Sequence, residues 1–282
     1  MNDELGQRAR TDYSRARFTA FLNRVWSVLS GQPLNLLSYD EVKEKLHIGG
    51  PIYRGVQTVR IDQIAGSLNR YHQFDRAFLP VQDDTAERWQ RVSQAFYAEI
   101  SLPPVVLYKV GQVYFVVDGH HRVSVARRQG QIYIEAEVRE CATKVDITPN
   151  LKTEDLEILH TKVNFLERTN LDQLRPGAEI PLTIPDGYIR MLEHIAVHRY
   201  FMGLDWKRDI SDEEAVMHWY DTVYMPVVGI IRESKIMQEF PGKTEGDLYL
   251  WVLDHQRYLA ESLGKPLQPP DEAARDFIEG VE

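Results

Sequence analysis

The apolar residues Phe18, Phe21, Leu22, Val25, Trp26 and Leu29 recur at helical spacing, and Gly31 follows where a helix C-cap would sit. This predicts an amphipathic helix. Ser38 and Glu41 form a capping box, which predicts a second, short helix ending at Gly49 and Gly50. Both helices are expected to pack on the next domain. From residue 56 the period changes. Residues 56–61 read as a strand, and residues 84–98 return to helical spacing before Pro103 and Pro104 break it. Residues 105–110 and 113–117, joined by Gly111 and Gln112, predict a β-hairpin whose second arm is apolar enough for burial on both faces. A helix over 120–129 ends at Gly130, and residues 131–138 alternate like a strand with one wet face.

Beyond Pro149 the pattern is helical, with segments near 153–167, 187–201 and 212–224, the last to be kinked or ended by Pro226. Thr244 with Asp247 starts a final helix that Gly264 and Pro266 stop, and the residues after 265 read as a loose tail. The expectation is an α+β protein in four stretches. These are a helical extension (1–50), a mixed β-sheet module (51–148), a mainly helical domain (149–265) and a tail (266–282).

A chain of 282 residues, 43% hydrophobic, can bury a full core in one large domain or two modest ones. Its single cysteine, Cys141, excludes an internal disulfide framework and any multi-cysteine zinc site. The net charge of −9 lies at one end, because residues 205–282 hold 8 Lys+Arg against 17 Asp+Glu while the rest is balanced. That helical domain is acidic and repels nucleic-acid phosphates, so DNA contact starts with a handicap. No apolar run is long enough to cross a bilayer, and the first residues lack the apolar core of a signal peptide, so a cytoplasmic protein with no membrane contact is expected.

Chemistry concentrates at Asp118-Gly119-His120-His121-Arg122, where an apolar strand feeds a helix. The free N–H groups of a first helical turn and the helix dipole attract an anion, and glycine lets a phosphate approach the backbone. Arg122 can offer parallel donors, the two histidines add donors that depend on pH, and Asp118 can cap the helix or orient a histidine. Arg76, with Arg70, could reach the same phosphate from a facing loop, although solvated loop arginines are common. His194 and His198 share a helical face with Glu193, and His218 lies on a later helix, yet the spacing lacks the glutamate of a zinc peptidase. Ordinary interfacial histidines are the better account, and no metal site is expected. Tyr188, Trp206, Trp219, Tyr220, Tyr224, Tyr249 and Trp251 make the helical domain aromatic-rich, for core packing first and a protein partner second.

The order of strand, hairpin, Gly119-x-x-Arg122-x-x-x-Ala126 and closing strand over residues 50–140 resembles the ParB/sulfiredoxin-like superfamily. The resemblance implies that nucleotide phosphates sit on this turn. Sulfiredoxins carry a catalytic cysteine directly after the glycine, where this chain has His120, so sulfinic-acid reduction is not expected. ParB proteins carry Glu-Arg-Arg there and a helix-turn-helix downstream, and neither is present in residues 119–122 or evident in 150–204. Asp-Gly-His-His-Arg is instead similar to the motif of the ADP-dependent free-serine kinases, which implies a carboxylate base; Asp75 stands broadly where they carry a glutamate. As a surface carboxylate, Asp75 would instead pair with Arg76 or Arg70. Residues 205–260 resemble uncharacterised bacterial domains that accompany such modules.

The reading is a nucleotide-binding regulatory or sensory protein. It would hold ATP, ADP or CTP, with Mg2+ as an optional companion, on Asp118, Gly119, His120, His121, Arg122 and Arg76. The first alternative is a small-molecule kinase with Asp75 as base, and the second a DNA-associated transcriptional regulator. Whether the chain forms a homodimer stays open.

Overall fold

The computed structural model describes residues 2–30, 34–263 and 268–280. The chain is α+β and divides into two compact units, residues 1–156 and 157–282. The first unit contains α1 (Asn2–Ser30), β1 (Leu37–Ser38), α2 (Tyr39–Lys45), β2 (Pro51–Arg60), β3 (Ile64–Ser67), α3 (Ala86–Tyr97), β4 (Val105–Val110), β5 (Val113–Asp118), α4 (His120–Arg128) and β6 (Tyr133–Cys141). Its six strands form one mixed sheet in the order β1-β3-β5-β4-β6-β2. β5 pairs antiparallel with β4 and parallel with β3, and its residues Val113, Tyr114, Phe115 and Val116 are all buried. The burial expected on both faces is therefore found, and β5 delivers its end, Asp118, to α4.

The capping box is found at α2, where the Ser38 hydroxyl accepts the Glu41 N–H. That helix stops at Lys45, short of the predicted glycines, because His47 turns the chain with φ +49°. Strand β2 is longer than predicted and lies at the sheet edge, bulged at Gly55 (φ +84°). Two short strands, β1 and β3, have no counterpart in the sequence reading, because each carries too few residues to show a period.

The N-terminal helix corrects a second expectation. It reaches back to Asn2 and packs on α3 with Ala9, Tyr13, Ala16 and Ala20, beside Trp89. Residues 9 and 18 are nine apart, which is two and a half turns, so the stripe of Phe18, Phe21, Leu22, Val25, Trp26 and Leu29 faces away from that contact and is exposed. Small residues won the contact because they let the two helix backbones approach. Trp89 also ties α3 to α4, its indole N–H donating to Ser124 Oγ at 2.8 Å.

The second unit is helical among the described residues, with α5 (Asp155–Thr169) starting at the boundary, then α6 (Leu171–Leu174), α7 (Gly187–Trp206), α8 (Asp212–Trp219), α9 (Met225–Glu233), α10 (Glu245–Leu263) and α11 (Pro270–Glu279). A π-turn, Tyr220–Tyr224, carries the helical chain from α8 into α9, with the Met225 N–H bonded to the Tyr220 carbonyl directly before Pro226. Thr244 and Asp247 form the predicted reciprocal cap of α10. Trp219, Tyr224 and Tyr249 pack as a buried aromatic cluster, with the Trp219 N–H donating to the Tyr249 hydroxyl at 3.0 Å. The predicted loose tail is corrected: it carries α11, whose Ala273 and Ala274 are fully buried and which packs on α9 and α10. Two alanines and one isoleucine give too sparse a pattern to stand out beside Pro266, Pro269 and Pro270. No described helix is long and apolar enough to cross a membrane.

Gly66 of β3 is closely covered by its neighbours in the sheet. A Cβ there would lie 2.2 Å from the Phe115 ring and 2.9 Å from the Leu37 carbonyl oxygen. Gly66→Ala is expected to destabilise the first unit by about 3 kcal/mol, read as a lowered urea midpoint; an unchanged midpoint would show that the ring has room to move.

Candidate functional site

Strand β5 ends at Asp118, and Gly119 turns the chain into α4 with φ +97° and ψ 22°. A Cβ at this position would lie 2.6 Å from Val105 Cγ1, so the turn requires glycine on both conformational and steric grounds. The first hydrogen bond of α4 runs from Val123 N–H to the Gly119 carbonyl. The N–H groups of His120, His121 and Arg122 therefore precede the helical ladder at the positive end of the dipole.

Both histidines are buried, 5% and 6% exposed. His120 Nε2 shares a hydrogen bond of 2.8 Å with Ser67 Oγ, and Ser67 Oγ also accepts the Arg70 N–H at 3.0 Å. Phe74 stacks on His120 with ring centres 6.2 Å apart and meets His121 edge-on at 5.4 Å. His121 Nδ1 is buried without a hydrogen-bond partner among the described residues, which is costly unless a ligand or water supplies one. Burial, followed by the positive charges of Arg70 and His121, pushes His120 down to about 4. Burial, then Arg88 and Arg70, does the same for His121. Both rings are thus neutral at pH 7, and the cationic field at this turn comes from arginine.

Arg122 faces a different task from the one expected. Its guanidinium donates to the carbonyl oxygens of Pro103 and Pro104 and to Asp118 Oδ2 at 2.6 Å, which fastens the loop before β4 to the start of α4. Three of its five N–H donors are engaged in these bonds, and Asp118 is its ion-pair partner.

Arg76 and Asp75 do not join this group. Arg76 donates to the carbonyls of Asn35, Pro149 and Leu151, at 3.3, 2.6 and 2.9 Å. Its own carbonyl is held by Arg127, eight residues and so about 12 Å along α4 from Gly119. Asp75 is buried, accepting the Leu79 N–H at 2.8 Å and the Asn23 side-chain N–H at 3.1 Å. Burial raises its carboxyl above the usual range. It organises a loop and anchors α1; it is not the expected surface carboxylate paired with Arg76 or Arg70. Phe74 faces the histidines, and its neighbour Asp75 is turned to α1.

Ser67, Phe74 and Arg88 went unnoticed in the sequence. Ser67 closes β3, a strand too short to detect, and Arg88 lies on an exposed face of α3 where an arginine is ordinary. Arg70 was noticed, but only as a loop cation. Cys141 ends β6 beside Val110, at the hairpin end of the sheet opposite Asp118, so no thiol joins the turn. In the second unit, His198 Nε2 meets His218 Nδ1 at 2.8 Å, and the half-buried His194 lies edge-on to Tyr249. Among the described residues no group of three or more potential ligands stands together for a metal ion. Comparison with known protein families and with functionally characterised proteins returns no match.

The neutral histidines make stability depend on pH. Each binds a proton readily when unfolded, with a pKa of 6.5, and in the folded protein only near 4. The unfolded state is therefore stabilised by protons, and the folding free energy present above pH 6.5 is lost as pH falls towards 4. The loss is at most ~2 kcal/mol per ring at pH 5. His194, also near 4, acts in the same direction in the second unit. Proton uptake on unfolding at pH 5 is expected to fall by about one in His121→Asn; uptake equal to wild type would mean that the ring is already protonated in the fold.

Proposed function

We propose that the first unit binds the phosphate groups of a nucleotide at the start of α4, in a regulatory or sensory role. The observation that carries this reading is the Gly119 turn, which leaves the three leading N–H groups of α4 ahead of its helical ladder on the same first turn as the buried His121. Arg70 and Arg88, whose charges reach both histidines, supply the positive field. The ParB/sulfiredoxin-like resemblance of Gly119-x-x-Arg122 supports the same assignment, and the strand-turn-helix setting is the one that resemblance requires. Phosphate contact is assigned to the backbone of residues 119–122 and to His121, with Arg70 and Arg88 in place of Arg76. Arg122 acts as a positioning residue that holds Pro103 and Pro104.

A kinase needs a carboxylate placed to take a hydroxyl proton. Asp75 has each oxygen already accepting one hydrogen bond, from Leu79 and from Asn23, and it is turned to α1 and not to the start of α4. The binding reading is accordingly preferred, with the nucleotide and any Mg2+ left to experiment.

In a thermal-shift series with ATP, ADP, CTP and GTP, with and without Mg2+, at least one nucleotide at a hundred times its Kd is expected to stabilise the protein by about 2.7 kcal/mol. Arg70→Ala and Arg88→Ala should each weaken that nucleotide about tenfold while leaving the unliganded melting point near wild type. The absence of any shift at millimolar nucleotide would end the proposal. Turnover of nucleotide with a hydroxyl acceptor would replace it with the kinase reading.

A further inference from the structure

A cavity of the first unit, about 1080 Å³, lies around the C-terminal end of α4. Its lining includes Arg60, Arg76, Arg127 and Lys152 against two carboxylates, Asp62 and Asp75, a surplus of two positive charges. None of the residues 118–122 lines it. The four cations are not equivalent. Arg60 is neutralised by a two-pronged pair with Asp62, at 3.1 and 2.6 Å. Arg76 and Arg127 make no ion pair with any described residue and donate to backbone carbonyls, Arg127 to those of Arg76, Ile61 and Ile64. Carbonyl dipoles orient a guanidinium but leave its net charge in place. Asp75 acts on Arg127 only at longer range. Burial, then the charge of Arg127, lowers Arg76 to about 10, which still leaves it protonated at pH 7. Lys152, exposed at the rim, has no side-chain partner among the described residues.

The cavity also has an apolar side. Trp26, 67% exposed, lines it together with Leu34 and Ile132, which is itself 64% exposed. An indole left in water next to uncompensated cations favours a ligand that is anionic at one end and apolar at the other. The volume suits a small organic molecule of that type.

We propose that this cavity is a second ligand site, separate from the α4 N-terminus, which takes an amphiphilic organic anion. The acid group lies towards Arg76, Arg127 and Lys152, and the apolar body lies along Trp26 and Ile132. A carboxylate, sulfonate or phosphate ester would satisfy the cationic end. The apolar body separates such a ligand from inorganic phosphate.

The test uses the full chain and 8-anilino-1-naphthalenesulfonate as a fluorescent probe, with decanoate and pyrophosphate as competitors. Lys152→Glu and Trp26→Ala alter exposed side chains, and circular dichroism checks that both stay folded. The probe is expected to bind Lys152→Glu about tenfold more weakly than wild type, Trp26→Ala several-fold more weakly, and Arg70→Ala unchanged. Decanoate should displace it at lower concentration than pyrophosphate. Equal affinity for wild type and Lys152→Glu would overturn the assignment, since the probe would then rest on apolar surface alone. Loss in Arg70→Ala, or displacement by pyrophosphate and not decanoate, would overturn it as well. Because Arg70, in the loop after β3, belongs to the site proposed at the start of α4, failure here leaves the nucleotide proposal to its own measurement.

Discussion

The left-handed turn at Gly119 is the constraint on which the first unit is organised. β5 is buried at the centre of the sheet, so the chain leaving it must reverse within one residue to lay α4 back across the apolar face. Val105 closes the space where any side chain would go. That single residue decides where the first turn of α4 points, and hence that His120 meets Ser67 at the end of the neighbouring parallel strand. The contact of 2.8 Å joins β3 to α4 without a covalent link and brings Phe74 over both rings. The local chemistry is therefore a product of sheet topology: two parallel strands end side by side, and their end residues share one small polar cluster.

Three arginines around this frame do structural work that a count of cations would assign to ligands. Arg122 clamps Pro103 and Pro104, Arg127 clamps Ile61, Ile64 and Arg76, and Arg76 clamps Asn35, Pro149 and Leu151. Each gathers two or three backbone carbonyl oxygens, that of Ile64 at the start of β3 among them, and so helps to meet the requirement that buried backbone groups be bonded. The planar fork of arginine can reach two or three carbonyls at once, whereas a lysine could not hold the same spread. Arg122 has Asp118 to balance its charge, while Arg76 and Arg127 keep theirs, and this difference separates a finished clamp from a charged cavity floor.

Elements with a full period were legible in the sequence: the hairpin, α4, β6 and the capped starts of α2 and α10 stand where the pattern put them. The α1 stripe misled because amphipathicity reports which faces are apolar and not which one finds a partner. Ala9, Ala16 and Ala20 carry little hydrophobic signal yet form the contact with α3. The same blindness to small residues hid α11. At the site, the backbone motif of residues 118–122 was legible because strand, glycine and helix are adjacent in sequence. Ser67, Phe74 and Arg88 were not, since their relation to the motif exists only once β3 lies beside β5 and α3 beside α4. Asp75 and Arg76 show the converse: a promising residue type in a facing loop says nothing about the direction of its side chain.

Neutral histidines fit an anion site better than their lack of charge first implies. Imidazolium at this depth would have to be desolvated beside Arg70 and Arg88, and burial disfavours it before any ligand arrives. A neutral ring can still donate one N–H, and the tautomer of His120 is tied to its bond with Ser67. His121 has no such tie at Nδ1, so that atom is free to face an oxygen as a donor or a hydroxyl as an acceptor. An arriving phosphate would favour the donor form and, by its charge, draw the ring towards protonation. The ring is thus uncharged in this structure, and an anion placed beside it would raise its affinity for a proton.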